Sequence, residues 1–174
     1  MKLNKILIAL GLAGAFAGVA HAAPVTKTIT LTAQIHDAIF VSKPDGSTWY
    51  GTEELDAKDY KQMEFSKTLP IRIWTKIASG VNVQLARPLQ MSNGLYQMTD
   101  AKVTMSNSNG LAPVEVKFGT EGKVAQTTKA ADGSYDDLHD LKIFVKAPIK
   151  AANSTASTNG SYSGDLVLLF EPVP

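Results

Sequence analysis

The sequence predicts an all-β chain folded as a sandwich of two antiparallel sheets. Three observations predict it. Apolar and polar residues alternate with a period of two in many short segments. Clusters of Gly, Pro, Asn, Asp and Ser separate those segments. No segment sustains a helical period.

The first 22 residues stand apart from that pattern. Lys2 and Lys5 form a basic start, residues 6–19 (ILIALGLAGAFAGV) an apolar core, and Ala20-His21-Ala22 an A-x-A cleavage signature. This reads as a secretory signal peptide, too short and wrongly flanked to span a membrane. The cut is expected between Ala22 and Ala23, because a cut after Ala23 would set Pro24 against the scissile bond. The remaining 152 residues make one ordinary domain, long enough to bury a core.

Residues 25–35 (VTKTITLTAQI) alternate for eleven residues. Val25, Lys27, Ile29, Leu31, Ala33 and Ile35 share one face, and four Thr and Gln34 share the other. So regular a strand is unexpected near a terminus, where chains usually fray. Next come short strands around residues 39–41 and 49–50, with turns at Pro44-Asp45-Gly46 and Gly51. Residues 65–77 alternate with Phe65, Leu69, Ile71, Ile73 and Ile77 in phase; Pro70 within them argues for an edge position or a bulge. After a turn at Ser79-Gly80, Val81, Val83 and Leu85 continue the pattern. Ser92-Asn93-Gly94 is a hairpin signal. Residues 103–105, residues 114–118 and residues 141–145 read as strands, and residues 119–133 as a polar loop or ribbon. Residues 151–160 (AANSTASTNG) form a low-complexity linker before a final apolar run, residues 165–170. Seven or eight short strands with turns between them indicate an immunoglobulin-like sandwich.

Composition narrows the function. After the leader, 15 Lys and Arg face 16 Asp and Glu, which leaves no basic excess for nucleic acid or anionic lipid. No second apolar run is long enough to span a membrane. Cysteine is absent, so disulfides, thiol catalysis and thiolate metal sites are excluded.

Candidate chemistry is sparse. Residues 136–140 (DDLHD) are the densest group of metal-type ligands, but they lack EF-hand spacing and further His, and read as a solvated loop before a strand. Gly160-Ser161-Tyr162-Ser163-Gly164 puts Tyr162 where a nucleophile elbow needs Ser. Phosphate-loop and dinucleotide fingerprints are absent, so no cofactor and no catalytic residue are expected. Asn153-Ser154-Thr155 and Asn159-Gly160-Ser161 match a glycosylation pattern that arises by chance in such a loop. Trp49, Tyr50, Trp74 and Tyr96 read as core and rim residues rather than a sugar-stacking surface.

The two ends together resemble the major pilins of class 5, alpha-type fimbriae, the colonisation-factor and cable pilins of Gram-negative bacteria. VTKTITLTAQI resembles that family's opening V-x-K-x-I-T-x-T-A-x-V/I, and residues 160–168 (GSYSGDLVL) its closing G-x-Y-x-G-x-V/L-x-L. Pro113-Val114-Glu115-Val116 and the Ala/Ser/Thr-rich loop lie between them in the expected order. Where members carry Pro just after the opening strand, this chain has Asp37, a departure that bears on the bend there and not on the strand.

The resemblance implies a signal peptide over residues 1–22, a donor strand over 23–36 and a pilin domain over 37–174. The domain would be a sandwich lacking one strand. The gap would be filled by a neighbour's Val25, Ile29, Leu31, Ala33 and Ile35, with Lys27 snorkelling out near the start. The closing strand would border the gap, making Tyr162, Leu166, Leu168 and Phe170 the expected acceptor-groove residues. A periplasmic chaperone would hold the gap until an outer-membrane usher exchanges it for the next subunit's strand. The product would be a surface fimbria supporting adhesion to host cells, with identical subunits and a tip adhesin as partners. At 152 residues the chain has room for the pilin domain alone.

Physics supports such an exchange independently. An open sheet edge over apolar surface must be covered, and an added strand supplies main-chain bonds plus side chains for alternate pockets. Burying Val25, Ile29, Leu31 and Ile35 contributes about 6–12 kcal/mol before entropy costs. The alternative is a monomeric secreted binding module for carbohydrate or protein, in which the opening strand pairs within its own sheet.

Overall fold

The computed structural model describes residues 39–150, 152 and 154–173. The expected leader, its cleavage point at Ala22 and Ala23, Asp37 and the opening strand with Val25, Ile29, Leu31, Ala33 and Ile35 lie outside the described residues.

Nine strands follow in order: β1 (Ile39–Ser42), β2 (Asp56–Ala57), β3 (Glu64–Thr75), β4 (Gly80–Leu85), β5 (Thr99–Asn107), β6 (Val114–Glu115), β7 (Gly122–Ala125), β8 (Tyr135–Lys146) and β9 (Leu168–Val173). Among the described residues there is no helix. One sheet has the order β1-β3-β8-β5-β6, with β2 also on β3; the other has the order β7-β4-β9. Every strand pair is antiparallel.

Alternation builds this sandwich. Ile71 and Ile73 of β3, Val103 and Met105 of β5, and Leu141 and Ile143 of β8 face Val81 and Val83 of β4 and Val124 of β7 in one buried cluster. Ile39 and Val41 of β1 pack against its margin. The intervening positions mostly face outward, as a sandwich with two solvated faces requires.

Four local expectations are corrected. Trp49 and Tyr50 are not in a strand; the pairing resumes at Asp56 and Ala57 instead. The polar stretch 119–133 contains β7, whose Gly122 and Val124 are buried while Lys123 and Ala125 are not. Ile77 lies beyond the end of β3 in a turn and is 74% exposed. Pro70 sits in an interior strand rather than at an edge, because β1 and β2 flank β3 on one side and β8 on the other. Yet β1 covers only residues 72–75 on its side and β2 only 65–66. The Pro70 carbonyl points into that interval, where it accepts a bond from the Tyr50 hydroxyl at 2.6 Å. The amide that proline lacks would point the same way, so no ladder bond is lost.

The largest correction concerns residues 136–140. They belong to β8, not to a solvated loop, and Asp137 and His139 face inward on the same parity as Leu141 and Ile143. A carboxylate survives there because its oxygens are satisfied. Asp137 accepts from the backbone amides of Thr127 and Thr128 and from Asn107 Nδ2 at 3.1 Å. His139 Nε2 meets Gln126 Oε1 at 3.3 Å, and Gln126 Nε2 donates to the Ile73 carbonyl at 3.2 Å. This network ties residues 126–128 across the end of the sandwich. Burial raises the Asp137 carboxyl, but the bonds from Thr128, Thr127 and Asn107 outweigh it and hold the group below the usual aspartate range. Burial pushes His139 below the usual histidine value, against the opposing pull of Asp137 and Asp140.

Replacing Asp137 with Ala leaves two amides and Asn107 unpaired, at an expected cost of about 2–4 kcal/mol in denaturant unfolding. The pH dependence follows from the two depressed values. His139 supports stability above its unfolded value of about 6.5, and that support is lost as pH falls through the depressed folded value. Asp137 supports stability above about 3.9 and fails below it. Thermal unfolding should therefore fall in two stages, one below about pH 6.5 and one below about pH 3.9.

Candidate functional site

The site follows from what β9 lacks. β9 pairs with β4 over Leu168–Val173, in register from Leu85↔Leu168 to Gly80↔Val173. Among the described residues no strand pairs its other edge. Leu168 and Phe170 turn inward, while Leu169 is 51% exposed.

Across from that edge runs the segment between β1 and β2. The amides of residues 48–55 make no backbone bond among the described residues. Only side chains anchor it: Tyr50 through its hydroxyl on Pro70, and Trp49 edge-on to Tyr50 at 5.9 Å and to Phe170 at 6.1 Å. Burial raises the Tyr50 phenol, with Glu53 and Asp45 adding to the effect, so it stays a donor.

Between the two segments lies a cleft of about 590 Å³. Leu69, Leu141 and Ile143 form its buried floor. Tyr50 and Leu55 form one wall, Tyr162, Leu166 and Leu168 the other, and Leu89 and Met91 one end. These wall and end residues are only partly buried. Glu53 and Asp165 bring negative charge to the rim, and Asp165 is paired with Arg87 at 2.6 Å.

Close backbone packing shapes the wall around Tyr162. Ser92 and Ser163 exchange two backbone bonds, at 2.9 and 3.1 Å. Tyr162 donates to the Thr158 carbonyl at 2.5 Å. A Cβ on Gly164 would stand 2.0 Å from the Gln90 carbonyl oxygen, so only glycine lets the two backbones approach. That is the physical content of the second glycine in the closing motif.

Of the four acceptor residues expected from the sequence, the structure brings Tyr162, Leu166 and Leu168 together in the cleft. Phe170 lies beyond, against Trp49. Leu69, Leu89, Leu141, Ile143 and the Trp49–Tyr50 pair also line it and were not expected there. Alternation marks Leu69, Leu141 and Ile143 as inward, but no signal in the sequence says which inward residues border the cleft. The four aromatics do not form one stacking surface: Trp74 lies on β3 opposite Phe40 and Asp136, and Tyr96 holds Ser154 and the Ala156 carbonyl.

Two backbone edges that are unpaired among the described residues, set over apolar walls, suit one ligand chemistry, an extended peptide with apolar residues at every second position. Among the described residues no three His, Asp or Glu converge as a metal site. No helix among them is long and apolar enough to cross a membrane.

Comparison with known proteins finds a family match and a similar fold. The family model described as the CS1 type fimbrial major subunit matches residues 25–171. The fold is similar to the solved CooA pilin subunit from enterotoxigenic Escherichia coli, at 16% identity and a TM-score of 0.53, over 79% of this chain and 99% of that one. No curated protein matches the sequence.

Replacing Gly164 with Ala forces residues 163–165 off residues 90–91. We expect a loss of about 1–3 kcal/mol and, in a thermal-shift titration, weaker capture of any peptide that fills the cleft.

Proposed function

The chain belongs to the CS1 type fimbrial major subunit family and is a structural subunit of a pilus, and from the cleft beside β9 we infer how it polymerises. Residues 23–36 of one subunit enter the cleft of the next as a donor strand. They pair with the open edge of β9 on one side and with residues 48–55 on the other. Val25, Ile29, Leu31, Ala33 and Ile35 turn inward, and the Thr face turns to solvent. The single observation that carries this reading is the cleft itself, whose two backbone edges are unpaired among the described residues and face each other over apolar walls.

The strand runs antiparallel to β9. β1 starts at Ile39, opposite Thr75, and β9 ends at Val173, opposite Gly80, so Ile39 and the end of β9 lie at one pole. The cleft lies toward the other pole, with residues 162–168 before and at the start of β9. An antiparallel strand therefore leaves the cleft at the pole opposite the acceptor's own Ile39. Each subunit then receives at one pole and donates at the other, which is a head-to-tail contact that stays open and builds a filament.

Before exchange the cleft is an aggregation hazard. A periplasmic chaperone that covers it, an outer-membrane usher that exchanges it and a tip adhesin that ends the fibre complete the reading. The chain is exported through the periplasm, acts at the cell surface in adhesion to host cells, and has no catalytic role.

Full-length subunit carrying Ile29→Asp and Leu31→Asp tests this. Two carboxylates in apolar pockets cost several kcal/mol. The variant should fold, melt at the temperature of native subunit whose cleft is empty, form no filaments by sedimentation or electron microscopy, and shorten native filaments when mixed in. Filaments of normal length made by the variant alone would overturn the donor-strand reading.

A further inference from the structure

Donor-strand insertion sets how far apart two successive domains can sit. Residue 36 ends the donor segment and Ile39 begins β1, so three Cα steps separate them. Those steps reach at most about 11 Å. The donor's pole at Ile39 must therefore lie against the mouth of the acceptor's cleft.

The two surfaces brought together are chemically complementary. The donor pole holds Lys76 and Ile77, in the turn after β3, and Lys129, bridged to Tyr135 opposite the end of β3. All three are exposed, and neither lysine has an ion-pair partner among the described residues. Lys129 rests over the Tyr135 ring at 5.7 Å. The acid nearby in sequence, Asp132, is engaged with Ser134. At the cleft end the exposed rim holds Glu53 and Glu54, also without ion-pair partners among the described residues. Exposed Leu95 tips the loop whose Ser92 is bridged to Ser163. Most other acids at that end are already neutralised: Asp56 by Lys67, Glu64 by Lys58, Asp100 by Lys146 and Asp165 by Arg87.

We propose that a second copy of this chain docks there: the lysine-bearing pole at Lys76, Ile77 and Lys129 of each subunit seats against the acidic cleft rim at Glu53 and Glu54 of the next. This contact rests on the donor-strand reading and adds to it. It fixes the rotation of one domain on the next, which a single extended strand leaves loose, and so sets the angle repeated along the filament. Opposite charges at the poles also steer each arriving subunit end-on.

Charge reversal in full-length subunits tests it. Lys76→Glu with Lys129→Glu alters the donor pole, and Glu54→Lys alters the rim without touching a residue that lines the cleft. Each change alone should make filaments dissociate about tenfold faster at low salt, with the difference shrinking at high salt. The triple variant should return toward the native rate. Melting of the isolated domain, and its stabilisation by a peptide of residues 23–36, should be unchanged by all three. Native dissociation rates in both reversed variants, with the peptide still captured, would overturn the contact and leave the donor strand intact. Failure of the peptide to stabilise even the native domain would overturn both.

Discussion

β9 has a sheet neighbour on one side, β4, and among the described residues none on the other. The cleft is arranged around that unmade ladder. A sandwich edge with unpaired amides and carbonyls beside apolar side chains is unstable in water unless something covers it. The chain builds the walls of a cleft from Tyr50, Leu55, Tyr162, Leu166 and Leu168, and among the described residues only side chains anchor residues 48–55. In the donor-strand reading we propose, the polarity of the filament follows from the same geometry, since the cleft lies toward one pole and Ile39 at the other.

The opposite pole shows how the domain holds together without that strand and without a disulfide. The buried Asp137, His139, Gln126 and Asn107 network closes the sandwich there with bonds in place of apolar packing. Removing one member of such a network costs more than the average hydrogen bond, because its partners stay buried and unpaired. None of these four residues lines the cleft.

Much of the fold was legible from alternation, because a period of two with one buried face leaves little choice. Ile71 and Ile73, Val81 and Val83, and Leu141 and Ile143 are all where their parity puts them. What alternation misjudged were positions decided by tertiary partners. Asp137 and His139 look like loop residues until Thr127, Thr128 and Gln126 come round to meet them. Pro70 looks like an edge residue until its missing amide is seen to face the interval between β1 and β2. One wall of the cleft was legible through the closing motif, which contains or adjoins Tyr162, Leu166 and Leu168. The facing wall at Trp49, Tyr50 and Leu55 was not, because that segment has no alternation of its own.

The central claim is that the domain waits for a strand supplied by another molecule, and the most direct measurement is a peptide titration. The domain beginning at residue 37, prepared dilute, would be titrated with the segment of residues 23–36 while its melting temperature is followed. The account predicts a large, saturable rise, and none with the same peptide carrying Asp at positions 29 and 31. A domain that melts at one temperature with and without the native peptide would contradict it.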